Sequence, residues 1–371
     1  MASARTLITN LLTGADIQIG GNRPWDIAIH DDRLYDRIVA QGSLGFGEAY
    51  MDGWWDATAL DQFFTKLLGA RVQEHFAFTL PNIIAGLKSR LINLQSRARA
   101  RLVAEAHYDL GNDLYEAMLD THMVYTAAYW KEAKNLDEAQ EAKLDLICRK
   151  IGLKKGDRVL DIGCGWGSFA KFAAENYGAQ VVGITVSVEQ AALAKERCKG
   201  LPVEIRVQDY REVRESFDHI VSVEMFEAVG YKNFREYFKV AARCLKEGGL
   251  FLLQTIGNNA SVTSGDPWIE KYIFPNGMLP SMAQIGKAVE KLFVVEDVHN
   301  IGADYDPTLM AWFHNFEKAW PALREKYGDR FYRMWKYYLL VCAGLFRSRT
   351  LNDWQLVLAK GGVPGGYVSV R

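Results

Sequence analysis

An apolar run, Val159-Leu160-Asp161-Ile162, breaks into Gly163-Cys164-Gly165-Trp166-Gly167 and then into a helical pattern. Three glycines in five residues let a chain turn sharply at the end of a strand. They also bring its backbone, and the following helix N-terminus, close to a ligand. The chain beyond this turn keeps the same rhythm. Strand patterns at 158–163, 180–185, 203–208, 219–224 and 250–256 alternate with helical patterns such as 168–177 and 187–198. This βαβα order predicts an α/β fold whose mostly parallel sheet is covered by helices on both faces. A late apolar stretch, 354–359, reads as a strand added to one edge.

The 371 residues allow two or three domains, at roughly 150 residues each. Residues 1–90 alternate short helical patterns with glycine turns, as in Gly42-Ser43-Leu44-Gly45-Phe46-Gly47, and predict a small helical N-terminal domain. Residues 91–112 read as a basic linker and 113–371 as the catalytic domain. Lys+Arg (44) and Asp+Glu (45) cancel to a net charge of -1, which excludes a protein whose whole surface binds nucleic acid. The cancellation is not local: residues 75–104 hold no acid, only Lys88, Arg90, Arg97, Arg99 and Arg101 among apolar residues. Such a stretch is either a solvated linker helix or a surface that docks on anionic lipid headgroups. Five scattered cysteines without a CxxC pair predict no disulfide framework and no zinc site, and suit a reducing cytoplasm. His107, His122 and His299 lack metal-ligand spacing, so no metal is expected. The N-terminus reads as carrying no signal peptide, and no apolar run approaches the ~20 residues of a membrane span.

A glycine turn alone also suits a dinucleotide site or a simple packing turn. Here Asp161 precedes the first glycine by two positions, and Asp-Ile-Gly-Cys-Gly resembles motif I of class I S-adenosylmethionine (SAM) methyltransferases. That places Asp161, Gly163 and Gly165 at the cofactor. After the second strand, Thr185 and Gln190 stand where such enzymes usually carry an acid, and both can hydrogen-bond ribose or methionine atoms. After the third strand, Asp209 is a candidate acceptor for the adenine amino group. Tyr210 either stacks on the adenine ring or packs in the core.

Longer stretches narrow the family. They are His107-Tyr108-Asp109-Leu110-Gly111-Asn112-Asp113, Tyr125-Thr126-Ala127-Ala128-Tyr129-Trp130, Met225-Phe226-Glu227-Ala228-Val229-Gly230, Asp266-Pro267-Trp268-Ile269-Glu270-Lys271-Tyr272-Ile273-Phe274-Pro275-Asn276-Gly277 and Gly302-Ala303-Asp304-Tyr305-Asp306. With these the chain resembles the bacterial cyclopropane-fatty-acid-phospholipid synthases, and more distantly the mycolic acid cyclopropane synthases. The resemblance spans nearly the whole chain, including 42–55 of the N-terminal part, which points to the phospholipid-acting branch. It implies a Rossmann-like class I methyltransferase fold, SAM as cosubstrate, and as substrate the cis double bond of an acyl chain in a membrane phospholipid. It also implies a homodimer that touches the inner face of the cell membrane peripherally. Tyr125 and Thr126 join the cofactor residues on the same ground. The insert at 261–280 and the helices at 308–346 are expected to form the acyl-chain pocket, and the many aromatics to line it.

The resemblance further implies that methyl transfer leaves a carbocation, and that a bound bicarbonate removes the proton as the ring closes. Glu227, Tyr305 and the backbone of Ile256 match family positions around that ion. Two positions depart from the pattern: Gln254 replaces a histidine and Ala127 a cysteine. A glutamine donates a hydrogen bond but carries no charge and relays no proton. Three outcomes stay open: weaker bicarbonate binding, proton removal by Glu227 or a water it orients, or proton loss elsewhere to a methyl-branched or methylene product. Cys342 aligns with a cysteine that has been considered catalytic in the family, although this chemistry needs no thiolate. A buried structural cysteine is the expectation there.

Overall fold

The computed structural model describes residues 3–72, 75, 84, 93, 95 and 111–371. Lys88, Arg90, Arg97, Arg99, Arg101 and His107 lie outside the described residues. The chain divides into two compact units. One comprises Met1–Ile92, Thr263–Pro275 and Tyr305–Leu351; the other comprises Asn93–Val262, Asn276–Asp304 and Asn352–Arg371.

In the first unit, a two-stranded antiparallel ribbon of β1 (Ile27–Ile29) and β2 (Trp55–Ala57) sits among helices Ala4–Gly14, Arg33–Gln41, Ser43–Met51 and Leu60–Gly69. Its core is aromatic. Phe46 stacks on Trp55 with centroids 4.2 Å apart, and Tyr337 meets both Phe64 (5.1 Å) and Trp268 (4.5 Å). Small residues permit this approach: a Cβ on Gly47 would lie 2.4 Å from the Trp268 ring, and one on Gly344 2.6 Å from Phe64. The helices Pro267–Tyr272 and Asp329–Arg347 therefore complete the core that residues 1–90 begin. The sequence boundaries at 90 and 112 run along the chain, whereas the compact units are discontinuous. The physical reason is that the Phe46–Trp55–Phe63 surface needs late aromatic side chains to cover it. Much of the aromatic content thus serves this core.

The second unit is built on seven strands: β3 (Arg158–Ile162), β4 (Gln180–Thr185), β5 (Val203–Val207), β6 (Phe217–Val223), β7 (Leu245–Asn258), β8 (Val294–Asn300) and β9 (Leu351–Ala359). Their order in the sheet is β5-β4-β3-β6-β7-β9-β8. The pairs β5–β4, β4–β3, β3–β6 and β6–β7 are parallel, and β8–β9 is antiparallel. Strands covered on both faces read as continuous apolar runs, as Val159-Leu160-Asp161-Ile162 does. Leu160, Val182, Ile220 and Phe251 enter one buried cluster, while Val159, Val181, Val221 and Leu252 enter the other, as period-two alternation requires. Side chains start the helices: Asn135 caps Leu136–Lys150, which leads into β3, and Ser187 caps Val188–Arg197, which crosses from β4 to β5.

The mostly parallel α/β fold agrees with the sequence reading. The late strand does not sit where it was expected. β9 lies inside the sheet with all nine residues buried, and the more exposed β8 takes the edge. Its polar residues Asn352, Asp353 and Gln355 mimic an edge in sequence; in the fold they are enclosed. Among the described residues, no helix is long and apolar enough to cross a membrane.

Candidate active site

The glycine turn at the end of β3 holds three left-handed residues, Gly163 (φ +84°), Gly165 (φ +52°) and Gly167 (φ +80°), a region that side chains disfavour. The amides of Gly163 and Cys164 both donate to the Ile184 carbonyl at the end of β4. A Cβ on Gly163 would strike Met225 at 2.5 Å, so the turn packs tightly on the loop after β6. At Gly165 the nearest atom would be the Gln190 amide nitrogen at 3.9 Å, which leaves that side of the turn open. Asp161, on the same strand, is buried, and its Oδ2 meets no hydrogen-bond partner. Burial pushes its carboxyl up to about 7, opposed by the nearby Lys143 charge. An unpartnered buried carboxylate beside an open glycine cradle fits a ligand that brings its own donors and positive charge. The sulfonium and ammonium groups of SAM are such a ligand.

The flanking residues are preorganised. Thr185 donates to Gln190 Oε1 (3.1 Å), which leaves the glutamine amide hydrogens on the glycine side. Tyr125 meets Tyr115 edge-on, and Tyr115 in turn lies 4.9 Å from Trp166 of the turn. Thr126 Oγ1 accepts from Lys143 Nζ at 2.7 Å. The third-strand residues are more committed than the sequence suggests. Asp209 caps the turn Tyr210–Glu212 and holds Arg211 through two oxygens. Tyr210 takes the core alternative, packing edge-on to Tyr237 at 5.2 Å.

Beyond Met225 lies an acidic cluster. Glu227 Oε1 accepts from Ile256 N (2.5 Å) and Thr255 Oγ1 (2.9 Å), while Oε2 has no partner. Burial, and then the Glu224 charge, push its carboxyl up to about 8, so it is largely protonated at neutral pH. Gln254 is fully enclosed. Its amide nitrogen donates to Glu224 Oε1 and Asp353 Oδ2, both at 2.9 Å, and its carbonyl accepts from Gln355 at 3.0 Å. The Ala127 amide also donates to Glu224 Oε1, at 2.8 Å. Asp353 is buried, and burial followed by the charges of Glu224 and Glu227 raises its carboxyl well above the usual range.

The structure therefore brings Glu227, Gln254 and Ile256 together, next to Asp161 and the glycine turn. These residues do not fit bicarbonate. The Ile256 amide is taken by Glu227, and both Gln254 amide hydrogens are taken by Glu224 and Asp353. Tyr305 and Cys342 belong to the first unit. Tyr305 is buried and stacks on Phe346 at 4.4 Å. Burial pushes the Cys342 thiol up to about 12, which leaves almost no thiolate at neutral pH. Cys342→Ser should keep nearly full turnover; a loss beyond about 100-fold, the scale of a missing acid–base group, would show that the thiol reacts.

Sequence reading missed Lys143, Glu224 and Asp353. Lys143 is buried and held down to about 8, first by loss of hydration. Its signal was available: with Gln140 it interrupts the buried face of Leu136–Lys150, where Leu136, Ala139, Leu144 and Ile147 are apolar. Glu224 adopts φ +49°, a rare conformation for a non-glycine residue. No local sequence signal marks Asp353.

The family model for mycolic acid cyclopropane synthetase matches residues 95–356. The chain belongs to this family. It is 53% identical to the cyclopropane-fatty-acyl-phospholipid synthase of Escherichia coli K12 over 96% of this chain and 93% of that protein. It is 34% identical to the tuberculostearic acid methyltransferase UfaA1 of Mycobacterium tuberculosis, over 90% of this chain and 82% of that one. Among solved structures, the mycolic acid cyclopropane synthase CmaA1 complexed with SAH and CTAB superposes with a TM-score of 0.65 and 29% identity, covering 70% of this chain and 98% of that chain. As a member of the family, the chain has the class I SAM methyltransferase fold.

Proposed function

We propose that this family member is a cyclopropane-fatty-acyl-phospholipid synthase, which adds a methylene from SAM across the cis double bond of an unsaturated phospholipid acyl chain. The observation that carries the reading is Met225: it packs against Gly163 of the cofactor turn and stands between Glu224 and Glu227. A methyl-donor site and an acidic site thus share one loop, in a chain with end-to-end similarity to a named synthase.

SAM supplies an electrophilic methyl group when bound. Asp161, Gly163, Gly165, Thr185 and Gln190 hold and orient it; Tyr125 and Thr126 flank it. An alkene is a weak nucleophile, and the cation formed on methyl transfer is destroyed by water, so a dry wall and a nearby proton acceptor are both needed. Phe226, next to Glu227 in the chain, stacks on Phe234 and meets Tyr237 edge-on in the apolar core. Glu227, largely protonated, brackets the site through Thr255 and Ile256. Tyr305 enters this set on the resemblance alone. The basic residues Lys88, Arg90, Arg97, Arg99 and Arg101 are proposed to hold the enzyme on anionic lipid, and the N-terminal region to support a homodimer at the inner membrane face.

Incubation with labelled SAM and unsaturated phospholipid vesicles should place label in the acyl chains, with cyclopropane ring protons at high field in the NMR spectrum. Absence of label in the acyl chains would overturn the reading. The replacements at Gln254 and Ala127, together with the similarity to a tuberculostearic acid methyltransferase, favour one second reading. In it, label enters as a methyl branch or methylene, and the same spectrum distinguishes the two.

A further inference from the structure

We propose that Glu224 supplies the carboxylate that removes the proton as the ring closes, in the place where the resemblance puts a bicarbonate ion. The inference rests on the synthase reading and deepens it. The two departures from the family pattern, Ala127 and Gln254, lie 127 residues apart in sequence. Their N–H groups nevertheless converge on one atom, Glu224 Oε1, at 2.8 and 2.9 Å. The third position expected to grip the ion, the Ile256 amide, is closed by Glu227. The hydrogen bonds an anion would use are thus spent on carboxylates that the chain itself carries.

Three further features agree. The left-handed backbone of Glu224 is disfavoured for a non-glycine residue, and it persists because its amide donates to the Gln254 carbonyl at 2.8 Å while its side chain turns into the cluster. Burial, and then the Glu224 charge, raise the carboxyls of both neighbouring acids, Glu227 and Asp353. Two N–H donors stabilise the ionised form at Glu224 itself. Glutamine also suits this arrangement better than histidine. Braced by Asp353 and Gln355, it orients a carboxylate without competing for the proton.

Sourced this way, the step balances. A C–H bond of the transferred methyl breaks, and its electron pair forms the bond to the cationic carbon that closes the ring. The proton passes to the Glu224 carboxylate, which is only partly buried and can return it to water.

The test combines Glu224→Gln and Glu224→Gly with wild-type enzyme in bicarbonate-depleted and bicarbonate-supplied buffer. The readouts are acyl-chain products and SAM binding by calorimetry. Wild type should turn over equally in both buffers. Glu224→Gln should bind SAM normally yet lose about 100-fold or more in ring closure, the scale of a missing general base. Its residual label should shift towards methyl-branched or hydroxylated chains. Glu224→Gly, which vacates the slot, should regain turnover when bicarbonate is added. Stimulation of wild type by bicarbonate, or a Glu224→Gln enzyme that closes rings at the wild-type rate, would overturn the proposal while leaving the synthase reading intact. A wild type that labels no acyl chain overturns both. Should the variants not fold, the wild-type bicarbonate response alone decides.

Discussion

Asp161→Ala should weaken SAM binding by about 100-fold, or ~2.7 kcal/mol, as read by isothermal titration calorimetry. The carboxylate is buried with one oxygen unpartnered, at the base of a cradle that is open at Gly165. A charge-assisted hydrogen bond contributes about 1.5–3 kcal/mol, and one to a cationic ligand group in a dry site falls at the upper end. The same residue gives the binding a pH signature. Burial holds the free carboxyl up to about 7. A cationic ligand binds the ionised form, so wild-type affinity should rise as pH rises through that value and level off above it. Asp161→Ala should abolish this slope. A dissociation constant within about threefold of wild type, far less than one charged hydrogen bond, would remove Asp161 from the cofactor site. Lys143 makes the result interpretable. It keeps its hydrogen bond to Thr126 Oγ1 and the nearby Glu224 charge after the substitution, so the fold is expected to survive.

The second large effect is on stability. Trp268→Ala should cost about 3–5 kcal/mol, the usual range for deleting a buried aromatic. At 1% exposure, the indole fills the space left by Gly47 and lies against Tyr272 and Tyr337. The surrounding rings are too rigid to collapse into the void, which keeps the cost near the top of that range. The melting temperature followed by circular dichroism should fall by about 6–20 °C. Val368→Ala, at an exposed position, should not move it. A fall of less than about 2 °C would mean that the helix Pro267–Tyr272 adds little to the first unit.

Both effects illustrate how far the residues can be read without the fold. The turn that holds Asp161 and its glycines was legible because it is local: a strand, a turn and a helix start follow one another directly in the chain. Thr185 and Gln190 meet each other for the same reason, being five residues apart at a capped helix start. Trp268 carried a family motif but no sign of its packing partners, which come from Gly47 and Tyr337. Asp209 and Tyr210 were placed after the correct strand, but their partners Arg211 and Tyr237 were not foreseen. Residues 354–359 were legible as a strand, but not as an internal one, because polar residues in sequence do not reveal whether they face water or one another.

The alternation of strands and helices, the glycine-rich turn and the family were all legible from residue order alone. Those signals rest on periods of two and 3.6 residues and on backbone freedom at single glycines, which neighbouring residues specify. The acidic cluster was decided only by tertiary structure. Gln254 meets Asp353 across 99 residues and Glu224 meets Ala127 across 97. Such pairs form because the order β6-β7-β9 brings these segments together and shields most of their polar groups from water. Most of these groups find a partner there, whereas Glu227 Oε2 and Asp353 Oδ1 do not, and the charge that remains is set by the whole cluster.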